Sequence, residues 1–284
     1  MNLSNHFSRQ LNNSGIPAPL LQKWESLLDD LKNFDSAAIA YSGGVDSSFL
    51  AYAALQVLGK KMVTVTIVSP VEPTDMLKTA VDFAAYHKFP HVLITHNLLE
   101  NPNFYTNSID RCYHCKTDML HTLWDYAKEH QLSVLLEGQN ADDQTDYRPG
   151  RKAIEETGTI SPLARNGLSK AEIRCLSKAF GLSIWDQPSS PCLATRIPYG
   201  TVITEKVLEQ VAQGEAYLQE KGFRNVRVRY HREEARIEIE PDQIANLLNY
   251  REDLVNYFKQ IGFLYVALDL QGYRSGSMNE GLNL

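Results

Sequence analysis

A short apolar run, Ala37-Ala38-Ile39-Ala40-Tyr41, breaks at Ser42-Gly43-Gly44-Val45-Asp46-Ser47 and resumes as Ser48-Phe49-Leu50-Ala51-Tyr52-Ala53-Ala54-Leu55. The first run is long enough for a buried strand, and the alanine-rich second run reads as a helix. A strand that turns through two glycines into a helix fixes the local topology and makes an anion site. Glycine lets the backbone approach a phosphate closely, and the free N–H groups of the first helical turn point at it. Asp46 and Ser47 add a metal-capable carboxylate and a hydroxyl, which a bare turn does not need. The turn is not a Walker loop, because GxxxxGK(S/T) is absent and no lysine follows the glycines.

Strands and helices alternate from this point. Val63-Thr64-Val65-Thr66-Ile67-Val68 reads as a strand, Met76 to Tyr86 as a helix and His91-Val92-Leu93-Ile94-Thr95 as a strand. Met119 to Glu129 reads as a helix and Val134-Leu135-Leu136-Glu137-Gly138 as a fourth strand. The alternation predicts an α/β domain with a doubly wound parallel sheet over residues 36–199. Ligands on such sheets bind outside the carboxyl ends of the strands. The glycine turn, Ser69-Pro70 and Gly138-Gln139-Asn140 all fall there. Residues 1–35 read as a helical segment, with Leu20, Leu21, Trp24, Leu27, Leu28 and Leu31 on one face. Beyond residue 200 the pattern changes to a smaller α+β domain, 200–284. Residues 226–231 and 235–240 alternate with period two, as antiparallel strands with polar outer faces. Helices are expected at 207–221 and 242–261, and a last strand at 264–269.

The chain has 284 residues, is 43% hydrophobic and carries a formal net charge of −6. Nucleic-acid binding usually needs a basic surface, so no nucleic-acid partner is expected. No apolar run reaches the roughly 18 residues of a membrane span, so no membrane association is expected. The N-terminus lacks the basic and apolar regions of a signal peptide, which predicts a cytoplasmic protein. Its four cysteines are then thiols or metal ligands rather than disulfides. Cys112 and Cys115 form a CxxC in Arg111-Cys112-Tyr113-His114-Cys115-Lys116, and Cys192 lies in Pro191-Cys192-Leu193-Ala194-Thr195-Arg196; both stretches read as loops. Cys175 falls on an amphipathic helix and reads as a small core residue. Spacing alone leaves three possibilities open: an iron–sulfur cluster, zinc or redox-active thiols with His114 as a possible further ligand, or no metal. The single histidines and the three tryptophans carry no ligand spacing.

SGGxDS after the first strand resembles the PP-loop of the ATP pyrophosphatases. Further stretches resemble the LarE-type sulfur transferases of that superfamily: 111–116, Glu137-Gly138-Gln139-Asn140-Ala141-Asp142-Asp143, Asp146-Tyr147-Arg148-Pro149-Gly150, 191–200, 226–231 and 268–276. The resemblance runs over nearly the whole chain. It implies the PP-loop fold, α,β-cleavage of ATP to AMP and pyrophosphate, and Mg²⁺. The implied substrate is pyridinium-3,5-biscarboxylic acid mononucleotide, in biosynthesis of the nickel-pincer cofactor. Ser42, Gly43, Gly44, Val45, Asp46, Ser47, Ser69 and Gly138 would bind ATP, with Asp46 and Asp142 at Mg²⁺. A solvated loop or helix N-terminus is the plainer reading of the Asp142–Asp143 pair.

A substrate with two carboxylates and a phosphate needs cations, for which Arg196, Arg227, Arg229 and Arg274 are candidates. Arg227 and Arg229 are two apart on a strand and share a face. The competing reading makes them a solvated face paired with Glu238 or Glu240. The resemblance adds Glu215, otherwise a solvated helix residue. The family has two sulfur strategies. Single-cysteine members sacrifice the sulfur of the residue matching Cys192, leaving dehydroalanine. Three-cysteine members, with positions matching Cys112, Cys115 and Cys192, imply a [4Fe–4S] cluster recharged by a sulfide or sulfur-donor system. The three positions here favour the cluster, with sacrifice of Cys192, or a tRNA thiolase, as the alternatives. A homo-oligomer is expected.

Overall fold

The computed structural model describes residues 16–144, 149–188, 190–274 and 277. The chain divides into two units. One comprises Met1–Ser69, Thr74–His96 and Cys112–Ser190, and the other Pro70–Pro73, Asn97–Arg111 and Pro191–Leu284.

The first unit is α/β. Helix α1 (Ala18–Leu31) precedes β1 (Ala37–Ala40), α2 (Val45–Leu58), β2 (Met62–Val68), α3 (Thr74–His87) and β3 (His91–Thr95). Helix α4 (Arg111–Glu129) begins one residue ahead of the unit's third segment, and β4 (Val134–Leu136), α5 (Pro149–Thr157) and α6 (Lys170–Ala179) follow it. The strands form one sheet in the order β3-β2-β1-β4, every pair parallel. Side chains alternate across a strand, so β1 feeds two cores. Ala37 and Ile39 pack with Trp24, Phe49, Phe83 and Ile173 from α1, α2, α3 and α6. Ala38 packs on the other face with Leu120, Leu123 and Ala153 from α4 and α5. Helices therefore cover both faces. On α1, Leu20, Trp24, Leu27 and Leu31 are buried at spacings of four, three and four. Each such side chain contributes roughly 1.5–3 kcal/mol by leaving water. The earlier part of the expected N-terminal segment, residues 1–15, lies outside the described residues.

Two readings are corrected in this unit. Cys112 and Cys115 do not lie in a loop, because α4 starts at Arg111. Residues 111–118 contain neither glycine nor proline, so nothing breaks the helix there. Cys175 is exposed rather than in the core. The buried face of α6 is set by Ile173, Leu176 and Ser177, and at 3.6 residues per turn Cys175 falls on the opposite side.

The second unit holds α7 (Glu205–Glu220), β5 (Arg227–His231), β6 (Glu234–Glu238), α8 (Arg251–Gln260) and β7 (Tyr265–Leu268). Strand β6 is central, antiparallel to β5 and parallel to β7. Val228, Ala235 and Ile237 pack against Leu218, Leu254, Phe258 and Phe263. The helix expected over 242–261 is broken into 3₁₀ and single-turn pieces before α8. Asn246 and Asn249 sit in the broken part, where asparagine side chains compete for backbone hydrogen bonds. The outer face of β5 and β6 is not uniformly polar and solvated: Arg229 and Glu238 are buried on it as an ion pair of 2.7 Å. Among the described residues no helix is long and apolar enough to cross a membrane.

Candidate functional site

The glycine turn lies at the carboxyl edge of the first unit's sheet, where the chain changes direction. Strands β2 and β3 extend from one side of β1, and β4 pairs on the other. This switch point opens a crevice in doubly wound sheets. Gly44 stands at the N-cap of α2 and makes no side-chain cap, so it leaves the first N–H groups of that helix unsatisfied by the cap residue. Gly43 has φ +76°, and a Cβ there would lie 2.7 Å from Ala80 Cβ and 2.9 Å from the Ala80 backbone. A Cβ on Gly138, just after β4, would lie 2.9 Å from Ser47 N. Ser47 Oγ donates to Gly44 O at 3.2 Å and lies 3.1 Å from Ser42 Oγ, which braces the turn from within. Ser69, beyond β2, is buried and its Oγ has no partner among the described residues. Gly43→Ala is expected to cost about 1–3 kcal/mol, the usual range for overpacking. A chemical denaturation midpoint unchanged from the parent protein would contradict that fit.

Asp46 is the charged centre of this turn. Its Oδ2 accepts from Lys170 Nζ at 2.6 Å and from Asn140 Nδ2 at 3.4 Å. Its Oδ1 is buried and has no partner among the described residues. Burial raises the Asp46 pKa, and Lys170 opposes that shift. Asp142 is exposed, and its Oδ2 accepts from the Lys170 backbone N–H at 2.8 Å, at the start of α6, as the helix N-terminus reading allows. Asp143 Oδ2 accepts from Asn140 N at 3.0 Å. Next to them, buried Glu137 pairs with Lys116 at 3.1 Å and accepts from Gln139 N at 3.0 Å. Lys170 and Lys116 were not among the sequence candidates. The capping box Ser169-Lys170-Ala171-Glu172 was the available signal for Lys170, since it places that residue in the first turn of α6.

Cys112 and Cys115 sit three apart in the first two turns of α4, which puts both on one side of the helix. Cys112 is exposed, and Cys115 is half-buried with Sγ 3.7 Å from Met119 Sδ. Two accessible thiols suit a thiophilic metal as a donor pair. Among the described residues no group of three or more His, Cys, Asp and Glu side chains is arranged to hold a metal ion.

In the second unit Cys192 precedes a 3₁₀ turn, Leu193–Arg196. Three buried guanidiniums hold the main chain around it: Arg196 (1% exposed), Arg111 (3%) and Arg229 (5%). Arg196 Nη1 donates to Pro191 O at 2.6 Å and Cys192 O at 3.1 Å. Arg111 donates to Ala194 O at 3.1 Å, and Arg229 to Thr195 O at 3.0 Å. The loop also braces itself: Thr195 N and Oγ1 donate to Cys192 O at 3.1 and 2.8 Å, and Ile197 N to Ala194 O at 3.2 Å. Glu215, far from solvated, is buried. It accepts Arg196 Nε and Nη2 at 2.8 Å each and Val228 N at 3.0 Å. Arg229 is also occupied by Glu238 and by Ser277 Oγ at 2.8 Å.

Arg227 is half-buried, donates to Val226 O at 2.6 Å and stacks 5.1 Å from the Tyr273 ring centre. Burial, followed by the nearby Arg196 charge, lowers its pKa. Arg274 is half-buried, donates to Gly272 O at 3.2 Å and lies 3.8 Å from Asp269 Oδ1. Residues 145–148, with most of the DYRPG stretch, lie outside the described residues.

No known family model matches the chain. It is 34% identical over 266 residues to the pyridinium-3,5-bisthiocarboxylic acid mononucleotide synthase of Lactiplantibacillus plantarum, covering 93% of this chain and 96% of that protein. It is 43% identical over 264 residues to an uncharacterized protein of Synechocystis, covering 91% and 98%. A third relative, an uncharacterized protein of Methanocaldococcus jannaschii, is 28% identical over 256 residues, covering 90% and 97%.

Proposed function

The chain belongs to the LarE family, that of pyridinium-3,5-bisthiocarboxylic acid mononucleotide synthase, and from this premise we propose that it is an ATP-dependent sulfur transferase. Its substrate in this reading is pyridinium-3,5-biscarboxylic acid mononucleotide, and its product feeds nickel-pincer cofactor assembly. The observation that carries the ATP-dependent part is the uncapped N-terminus of α2 at the switch point, walled by Gly43 and Gly138, with Asp46 Oδ1 buried and unpartnered beside it.

A carboxylate oxygen is a poor leaving group. Adenylation converts it to AMP, a good one, provided the α-phosphorus faces the carboxylate. The N–H groups of Val45, Asp46 and Ser47 and the Ser42 and Ser47 hydroxyls would hold the departing pyrophosphate. Asp46 would hold Mg²⁺, which neutralises phosphate charge when bound. Ser69 and Gly138 would contact the nucleotide. Arg227 and Arg274 would take the substrate's anionic groups, while Arg196, Arg229 and Glu215 hold the Cys192 loop.

Cys112, Cys115 and Cys192 are the thiolates this chain would give a [4Fe–4S] cluster. When bound, such a cluster would carry a transferable sulfide on an open iron. The alternative reading keeps the same reaction with Cys192 as a sacrificial sulfur donor. In it, Cys192 Sγ attacks the acyl-adenylate, expelling AMP and losing its proton. Loss of the Cys192 Hα then breaks the Cβ–S bond, leaving dehydroalanine in the chain and the thiocarboxylate on the substrate.

The test is anaerobic turnover with MgATP and the biscarboxylate. The expected products are AMP and pyrophosphate, and stoichiometric ADP would overturn the reading. Cluster-based transfer requires iron in the protein and fails in Cys112→Ala, Cys115→Ala and Cys192→Ala alike. Sacrifice requires only Cys192, and the chain loses the mass of one H₂S after a single turnover.

A further inference from the structure

The glycine turn carries no cationic side chain of its own, yet an ammonium group sits on its carboxylate. Lys170 Nζ lies 2.6 Å from Asp46 Oδ2, across 124 residues of sequence. Its side chain is 36% exposed, so it reaches from the surface into the site. The Lys170 backbone N–H is fixed separately, on Asp142 Oδ2 at 2.8 Å, and Ser169 and Glu172 close a capping box around the same turn. The side chain is therefore not what holds the start of α6.

The charges explain what such a lysine could do. The N-terminus of α2 offers a phosphate chain about half a positive charge. Asp46 places a full negative charge at the same turn, with Asp143 close by. Without a compensating cation the turn would repel a polyphosphate. Lys170 supplies that cation and uses one carboxylate oxygen to do so, while Oδ1 remains without a partner among the described residues. An ammonium has three donors, so it can keep Asp46 and still face phosphate oxygens.

We infer that Lys170 is a phosphate-binding and positioning residue of this site. It restrains Asp46 through Oδ2, leaves Oδ1 for a divalent cation, and offers its other N–H groups to the polyphosphate of a nucleoside triphosphate. The inference rests on the reading that the glycine turn binds ATP.

The experiment titrates the full chain with the magnesium complex of α,β-methylene-ATP by calorimetry, and separately with Mn²⁺ alone by electron paramagnetic resonance. In Lys170→Gln the nucleotide dissociation constant is expected to rise about tenfold to a hundredfold, the loss of one charge-assisted bond. Mn²⁺ affinity should hold or tighten, because a neighbouring positive charge has gone. Lys170→Arg should recover most of the nucleotide affinity with an unchanged melting temperature. Undiminished nucleotide affinity in Lys170→Gln would overturn the inference. So would a parallel fall in nucleotide and Mn²⁺ affinity in both variants, which would make Lys170 only a support for Asp46. If the parent protein binds no nucleotide, the ATP reading falls first and takes this inference with it.

Discussion

Asp46→Ala is expected to lower AMP and pyrophosphate release by about 10²–10³-fold, the loss that follows removal of one preorganised group acting on developing charge. Two features single Asp46 out. It is the carboxylate at the uncapped start of α2, and one of its oxygens is buried with no partner among the described residues. A buried oxygen left unpaired costs free energy, and a cation bound there would recover it. The substitution should leave the fold intact. It removes a desolvated charge and frees Lys170, whose side chain already reaches solvent. Turnover within a few-fold of the parent protein would show that the glycine turn is structural.

Glu215→Leu has the largest expected effect on stability. It strands Arg196, which is 1% exposed, without its carboxylate. Removing one partner of a buried ion pair costs about 3–5 kcal/mol. Val228 N loses its acceptor as well. Arg196→Met combined with Glu215→Leu should recover part of that loss, since no uncompensated charge remains. It should not recover all of it, because Pro191 O then loses its Arg196 donor and Val228 N still lacks the Glu215 carboxylate, at about 0.5–1.5 kcal/mol for each hydrogen bond lost. Urea unfolding of the three proteins measures these steps. Sulfur transfer should stay low in the double variant even where stability returns, with nucleotide binding intact. A Glu215→Leu protein within about 1 kcal/mol of the parent would contradict a buried-pair role, given that exposed pairs contribute that little.

The sequence carried the periodic features and lost the pairwise ones. Strand β3 falls on the residues read as a strand, His91–Thr95, and the apolar stripe of α1 is buried as its spacing requires. Both depend only on local period. Helix α4 was read too short because its first two turns are polar and hold the cysteines, which suggested a loop. Cys175 was put in the core from its residue type, although the helical period of Ile173, Leu176 and Ser177 turns it to the opposite, solvent side. The Asp46–Lys170 and Arg196–Glu215 contacts lie beyond any local pattern. The first joins residues 124 apart, and the second requires a helix and a 3₁₀ turn to meet across 19. Four arginines could be named as candidate anion binders. Only the structure shows that Arg196 and Arg229 spend their donors on the protein itself.

The guanidinium grip around Cys192 acts on main-chain oxygens and ignores what the Cβ carries. If the sulfur leaves Cys192, every one of those donors keeps its acceptor, so a spent chain should keep the fold of a fresh one. Circular dichroism, melting curves and proteolysis would then pass an exhausted preparation as sound. Catalytic capacity under that chemistry becomes a stoichiometric quantity, counted per polypeptide by intact mass, and a well-folded sample says nothing about how much of it remains.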